Sequence, residues 1–147
     1  TVYDNNGGSH SVVIYFDVGI FSKIVLSSTS LSFYGEPGEG KVPSSSPLTV
    51  TIYSNSDWWL LIKATNMTGP SVIPAENIWV DDDPDPVEER ETGGEIQRLS
   101  GEPSPCLSLG GPYSNGEQYT LYFFLDIPSP LPSGEYRGVI YIILEIL

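Results

Sequence analysis

The chain has 147 residues and a formal net charge of -13, from 19 Asp and Glu against 6 Lys and Arg. Such a field repels phosphate backbones and anionic lipid surfaces, which argues against nucleic-acid partners and membrane-surface docking. Hydrophobic residues at 39% and aromatics at 12% are too many for a disordered chain, and Ala at positions 64 and 75 alone leaves long helices poorly supplied. The expectation is one domain, almost entirely β.

Residues 1–9 form a polar, glycine-bearing leader. After it, Val12, Ile14, Phe16, Val18 and Ile20 place an apolar side chain at every second position. A strand sends alternate side chains to opposite faces, so these five make one continuous hydrophobic edge near the N-terminus, on a flexible tether. Such an edge has to be covered, either within its own domain or by completing the sheet of a neighbouring copy. The chain accordingly divides into a leader with a candidate donor strand, residues 1–21, and a sandwich domain, residues 22–147.

Lys23 to Tyr34 reads as a strand kinked at Ser27-Ser28-Thr29-Ser30 and broken by Glu36-Pro-Gly-Glu-Gly40. Leu48, Val50 and Ile52 alternate with polar neighbours. The turn Ser54-Asn55-Ser56-Asp57 then leads to Trp58, Leu60, Ile62 and Ala64, giving a hairpin or a sheet-to-sheet crossover. Residues 66–116 are irregular, with short strand signals at Asn77–Val80, Glu95–Leu99 and Cys106–Leu109. Alternation resumes from Gln118 to Ile127, and Pro128-Ser-Pro-Leu-Pro-Ser-Gly134 forces a turn. Tyr136 to Leu147 reads as one long strand whose two faces both need cover. Seven to nine short strands without a helical period indicate a two-sheet β-sandwich, with immunoglobulin-like or Greek-key topology as the default.

Catalysis is poorly provisioned. His10 is the only histidine and lies in the leader, Cys106 has no evident base, and neither a phosphate loop nor zinc spacing is present. Nineteen acids make chance carboxylate pairs uninformative, so an enzyme is not expected. The densest charge runs from Asp81 to Glu91. Asp81, Asp83 and Asp85 are hard oxygen donors of the kind that hold Ca²⁺, though the spacing is not that of an EF-hand, and a solvated acidic loop is the simpler account. No other cofactor is indicated.

Trp58-Trp59 sends one indole to each face of a strand, so one packs in the core and the other faces out, with Tyr53, Tyr122 and Tyr141 as further outward aromatics. An exposed Trp59 offers a platform on which a sugar ring would stack; cover by the acidic loop or a neighbouring subunit competes with that role. Asn66-Met67-Thr68 fits the N-glycosylation pattern at Asn66. The single Cys106 cannot form an internal disulfide and is compatible with an extracellular protein, and no run is long enough to span a bilayer. A chain beginning at Thr is expected to be a mature, secreted form with its signal removed.

Two stretches resemble known surface proteins. Leu48-Thr-Val-Thr-Ile-Tyr-Ser-Asn-Ser-Asp-Trp-Trp-Leu-Leu-Ile62 resembles the strand-turn-strand "V-x-V-x-S-N-x-x-W-x-L" of secreted bacterial and archaeal immunoglobulin-like domains. Leu131-Pro-Ser-Gly-Glu-Tyr-Arg-Gly-Val-Ile140 resembles the "P-x-G-x-Y-x-x-x-I" lead-in to their last strand, which is similar to that of pilin-like fimbrial subunits. Resemblance to donor-strand pilins implies an extracellular homopolymer built through an N-terminal strand, and Val12 to Ile20 is where this sequence supplies one. The alternative is a monomeric secreted surface module, with Trp59 contacting carbohydrate.

Overall fold

The computed structural model describes residues 2–3, 9–84 and 96–147, and strands dominate them. In chain order they are β1 (Val2–Tyr3), β2 (Ser9–His10), β3 (Ser22–Leu26), β4 (Lys41–Pro43), β5 (Leu48–Ser54), β6 (Trp58–Ala64), β7 (Met67–Thr68), β8 (Val72–Ile73), β9 (Ile78–Asp81), β10 (Gln97–Arg98), β11 (Ser104–Gly111), β12 (Ser114–Asp126) and β13 (Ile140–Ile146). One short 3₁₀ turn, Ala75–Asn77, precedes β9, and there is no α-helix among the described residues.

The strands form an all-β sandwich. A six-stranded sheet has the order β10-β9-β12-β5-β3, with β4 also on β12, and faces a three-stranded sheet of order β11-β6-β13. β12 organises the larger sheet because its thirteen residues serve three partners: β5 from Ser114 to Leu121, β9 from Tyr122 to Leu125, and β4 from Phe124 to Asp126. The turn at Ser54–Asp57 is a crossover between sheets, since β5 lies in the larger and β6 in the smaller. Ser54 Oγ donates to Ser56 O at 2.7 Å, a local bond that lets the chain change sheets in so few residues.

Alternation builds the core. Leu48, Val50 and Ile52 from β5 meet Trp58, Leu60 and Ile62 from β6, and Leu121, Phe123 and Leu125 of β12 close it. Trp58 is 1% exposed and Trp59 is 41% exposed, so the paired indoles do take opposite faces. The long strand read from Lys23 to Tyr34 is regular only to Leu26; beyond it, Ser28 Oγ accepts from Ser30 N and donates to Ser30 O. That serine-to-backbone pairing competes with the ladder and turns the chain away. Likewise the last strand is regular only from Ile140, with Arg137 bridged to Thr68 before it. The short strands β4, β7 and β8 gave no periodic signal, being two or three residues long.

A second buried patch lies on the outer face of the larger sheet. Phe124 and Asp81 are fully buried there although Phe123 and Val80, their chain neighbours, point into the core. Beside them Lys41 Nζ lies 4.6 Å from the Trp79 ring and the Arg98 guanidinium 4.5 Å from it, so cations and aromatics cover this face together.

Candidate functional site

Two features of the surface stand out, an exposed apolar segment and a groove. The first is the N-terminal segment. Residues 11–21 belong to no sheet, and Val12, Ile14, Phe16, Val18 and Ile20 are 81, 79, 79, 72 and 74% exposed. Val13, Tyr15 and Phe21 on the alternate positions are exposed as well. A strongly charged chain rarely leaves so much contiguous apolar surface uncovered.

The segment is fixed at its root. Phe21 N donates to Asn55 Oδ1 at 2.7 Å, Asn55 N donates to Phe21 O at 3.1 Å, and Asn55 Nδ2 donates to Gly19 O at 2.9 Å. Asn55 sits in the turn between β5 and β6, so the segment leaves from the pole of the sandwich where the two sheets are joined. Among the described residues, no hydrogen bond holds positions 11–18 to the domain.

The second feature is a groove of about 1040 Å³ along the side of the sandwich where the larger sheet ends in β3 and the smaller in β13. One wall runs from Leu26 through Ser28–Pro37, the other from Leu131 to Ile142, and Leu48, Ile73, Ile78, Phe123, Leu125 and Ile127 form its apolar floor. Its presence explains an anomaly in β13. Ile140 and Ile142 face inward yet are only half-buried, as are Leu31 and Phe33 on the opposite wall. Two edge strands present core-type side chains to a space that the chain itself leaves open. The sequence showed the surplus, as apolar residues on both faces of the last strand, but not the empty place beside it.

Other expected sites fall elsewhere. Trp59 lies on the outer face of the smaller sheet, where a Cβ at Gly110 would stand 2.9 Å from its Cε3; one side of the indole thus rests on glycine backbone and the other is open. Tyr141 is on the same face with Lys63 Nζ 4.9 Å from its ring. Asn66 is exposed, and its Oδ1 accepts from Ala75 N at 3.0 Å. Asp81 is fully buried with its Oδ1 accepting from Asp82 N at 2.7 Å, Asp83 is half-buried, and Asp85 lies outside the described residues, as does most of the acidic run. Among the described residues no group of three His, Cys, Asp or Glu side chains is placed to hold a metal ion. His10 is described only as backbone in β2. Cys106 is buried in the core, where desolvation pushes its thiol up to about 12 and keeps it from acting as a thiolate.

The described residues include no helix long and apolar enough to cross a membrane. Comparison of the chain with known protein families finds none that matches, and comparison with curated proteins likewise finds no match.

Proposed function

We propose that this chain is the structural subunit of an extracellular filament, polymerising by insertion of residues 12–20 of one copy into the lateral groove of the next. The observation that carries the reading is the pairing of an exposed segment with apolar side chains at every second position and a groove flanked by two half-covered sheet edges. Each supplies what the other lacks. The segment needs one apolar face buried and its backbone groups paired; the groove needs apolar side chains, and its edge strands have unpaired N–H and C=O groups.

Burying each of five Val, Ile or Phe side chains is worth about 1.5–3 kcal/mol, on the order of 10 kcal/mol gross before ordering and association are subtracted. A surface-patch contact seldom concentrates as much in so short a stretch. The charge of -13 suits this arrangement, because a hydrophobic strand supplies cohesion that the acidic surfaces cannot.

The test is a truncated chain beginning at Ser22, with a peptide of residues 9–21 supplied separately. The truncated domain is expected to stay monomeric, and to gain a higher melting temperature when the peptide binds. Filaments from the truncated chain, or a melting temperature indifferent to the peptide, would overturn the mechanism. A full-length chain that stays monomeric and binds polysaccharide through Trp59 would replace it with the accessory-module reading.

A further inference from the structure

We propose that the outer face of the smaller sheet is a pairing surface for the same face of a second copy, the two related by a two-fold axis lying between them. A pair of this kind needs no filament. Within the filament reading above, on which only this larger consequence rests, the contact repeats along two filaments and holds them side by side.

The face follows from alternation. In β6 the buried residues are Trp58, Leu60, Ile62 and Ala64, so Trp59, Leu61 and Lys63 point outward. The ladder sets Glu145 beside Trp59, Ile143 beside Leu61 and Tyr141 beside Lys63. On the other flank Gly110 lies beside Trp59 and Pro105 beside Leu61. Apolar groups thus run down the face from exposed Trp59 to exposed Tyr141, with Pro105, Leu61 and Ile143 across the middle. A sheet face left to water carries polar residues in that row. Trp59, Leu61, Lys63, Tyr141, Ile143 and Glu145 are all absent from the groove lining, so groove and face can be filled at the same time.

Charge argues for a second copy as the occupant. β6, β11 and β13 together hold just two charged residues, Lys63 and Glu145, in a chain of net charge -13. Like-charged copies repel one another, and a face of zero net charge lets them touch. The cores of protein interfaces are poor in charge and rich in aromatic residues, which is the make-up of this face.

The two charges are also placed for self-complementarity. Lys63 stands at one end of the apolar row, its Nζ 4.9 Å from the Tyr141 ring, and Glu145 stands at the other end beside Trp59. Among the described residues neither forms an ion pair. A two-fold axis in the plane of contact, passing at Leu61 and Ile143, exchanges the ends. Lys63 of each copy then comes within reach of Glu145 of the other, and both pairs form at once because the two surfaces are the same. Exposed ion pairs add little affinity; they decide which orientation is accepted. The apolar row supplies the contact. It offers fewer residues than the roughly 20–30 a side of a standard interface, so single molecules pair weakly and repetition along a filament multiplies the effect.

Exchanging the charges tests this on the full-length chain. Lys63→Glu sets carboxylates against each other, and Glu145→Lys sets ammonium groups against each other. Filaments of either variant alone are expected to lie singly in electron micrographs, whereas unaltered filaments lie in pairs. Filaments of the two variants, grown separately and then mixed, are expected to pair again, since each supplies the charge the other lacks; recovery also shows that both variants fold. If the chain forms no filament, sedimentation of the same samples is expected to show a monomer–dimer equilibrium, about tenfold or more weaker in either variant and recovered in the mixture. That result would remove the filament reading and leave this inference standing. Unaltered filaments that stay single would do the reverse. Pairing of either variant alone at the unaltered level, or no recovery on mixing, would overturn the two-fold arrangement. Polysaccharide bound through Trp59 by filaments that stay single would give the face to a carbohydrate instead.

Discussion

Residues 118–127 and residues 12–20 are written in the same pattern and meet opposite fates. In β12, Leu121, Phe123 and Leu125 are buried, as is Ile127 just past its end, and each packs into the core between the two sheets. In the N-terminal segment, the same alternation stands in solvent. Period-two hydrophobicity states that one face of a strand must be covered; it says nothing about which chain does the covering. The difference lies in what flanks each stretch. β12 is fed by a turn at Pro112–Tyr113 and backed by β5 and β9, whereas the segment has Asn55 at one end and no neighbouring strand.

This contrast predicts unequal costs for similar mutations. Phe123→Ala removes a fully buried ring from between the two sheets and is expected to destabilise the domain by about 3–5 kcal/mol, read as a lower midpoint in urea unfolding. A loss well below 1 kcal/mol would show that this part of the core tolerates a cavity and is less tightly packed than its burial implies.

An intermediate effect comes from pH. Burial raises Cys106 from an ordinary 9.0 to about 12, and Tyr119 rises from 10.0 to about 12 through burial and its hydrogen bond to the Glu117 carboxylate. Below the lower of these values both states hold their protons and the contribution is fully present. As pH climbs from 9.0 toward 12 the unfolded chain releases protons that the folded chain retains, so stability falls. Comparing urea midpoints at about pH 8 and about pH 11, buried Cys106 is expected to account for a loss on the order of 1 kcal/mol per pH unit, half-exposed Tyr119 adding less because solvent screens it, and Cys106→Ala to flatten the slope. An unchanged slope in that variant would assign the alkaline loss to other groups.

The smallest effect on the domain is expected from Ile14→Asp combined with Phe16→Asp. Both side chains are uncovered in the single chain, so the folded monomer should keep its unfolding midpoint to within about 0.5 kcal/mol, while light scattering and electron microscopy show assembly abolished. Unfolding of that variant would mean that the segment belongs to its own domain and that the contrast with β12 is false.

Much of the sandwich was legible because alternation, turn residues and a core tryptophan agree with one another from Leu48 to Ala64 and from Gln118 to Ile127. What stayed hidden was of two kinds. Strands of two or three residues, such as Lys41–Pro43 and Val72–Ile73, are too short to show a period and exist only because longer strands pair with them or bring their ends together. The groove was hidden because it is a property of two edges far apart in sequence: Leu26 to Pro37 on one side, Leu131 to Ile142 on the other. Its trace was Ile142, Ile143 and Leu144, an unbroken apolar run where a strand with one solvent face would have alternated.

The clamp at Asn55 also decides how the proposed filament would carry a pull. Tension along the axis would leave the inserted segment through Ile20 and pass at Phe21 into β3, whose pairs with β5 from Ser22 to Leu26 lie along the strand. Bonds arranged in this way are strained together instead of being peeled one after another. Each joint would then yield as a unit at a high force, and Asn55, by holding both Gly19 and Phe21, would keep the load from reaching the ladder as a sideways tug on its first pair.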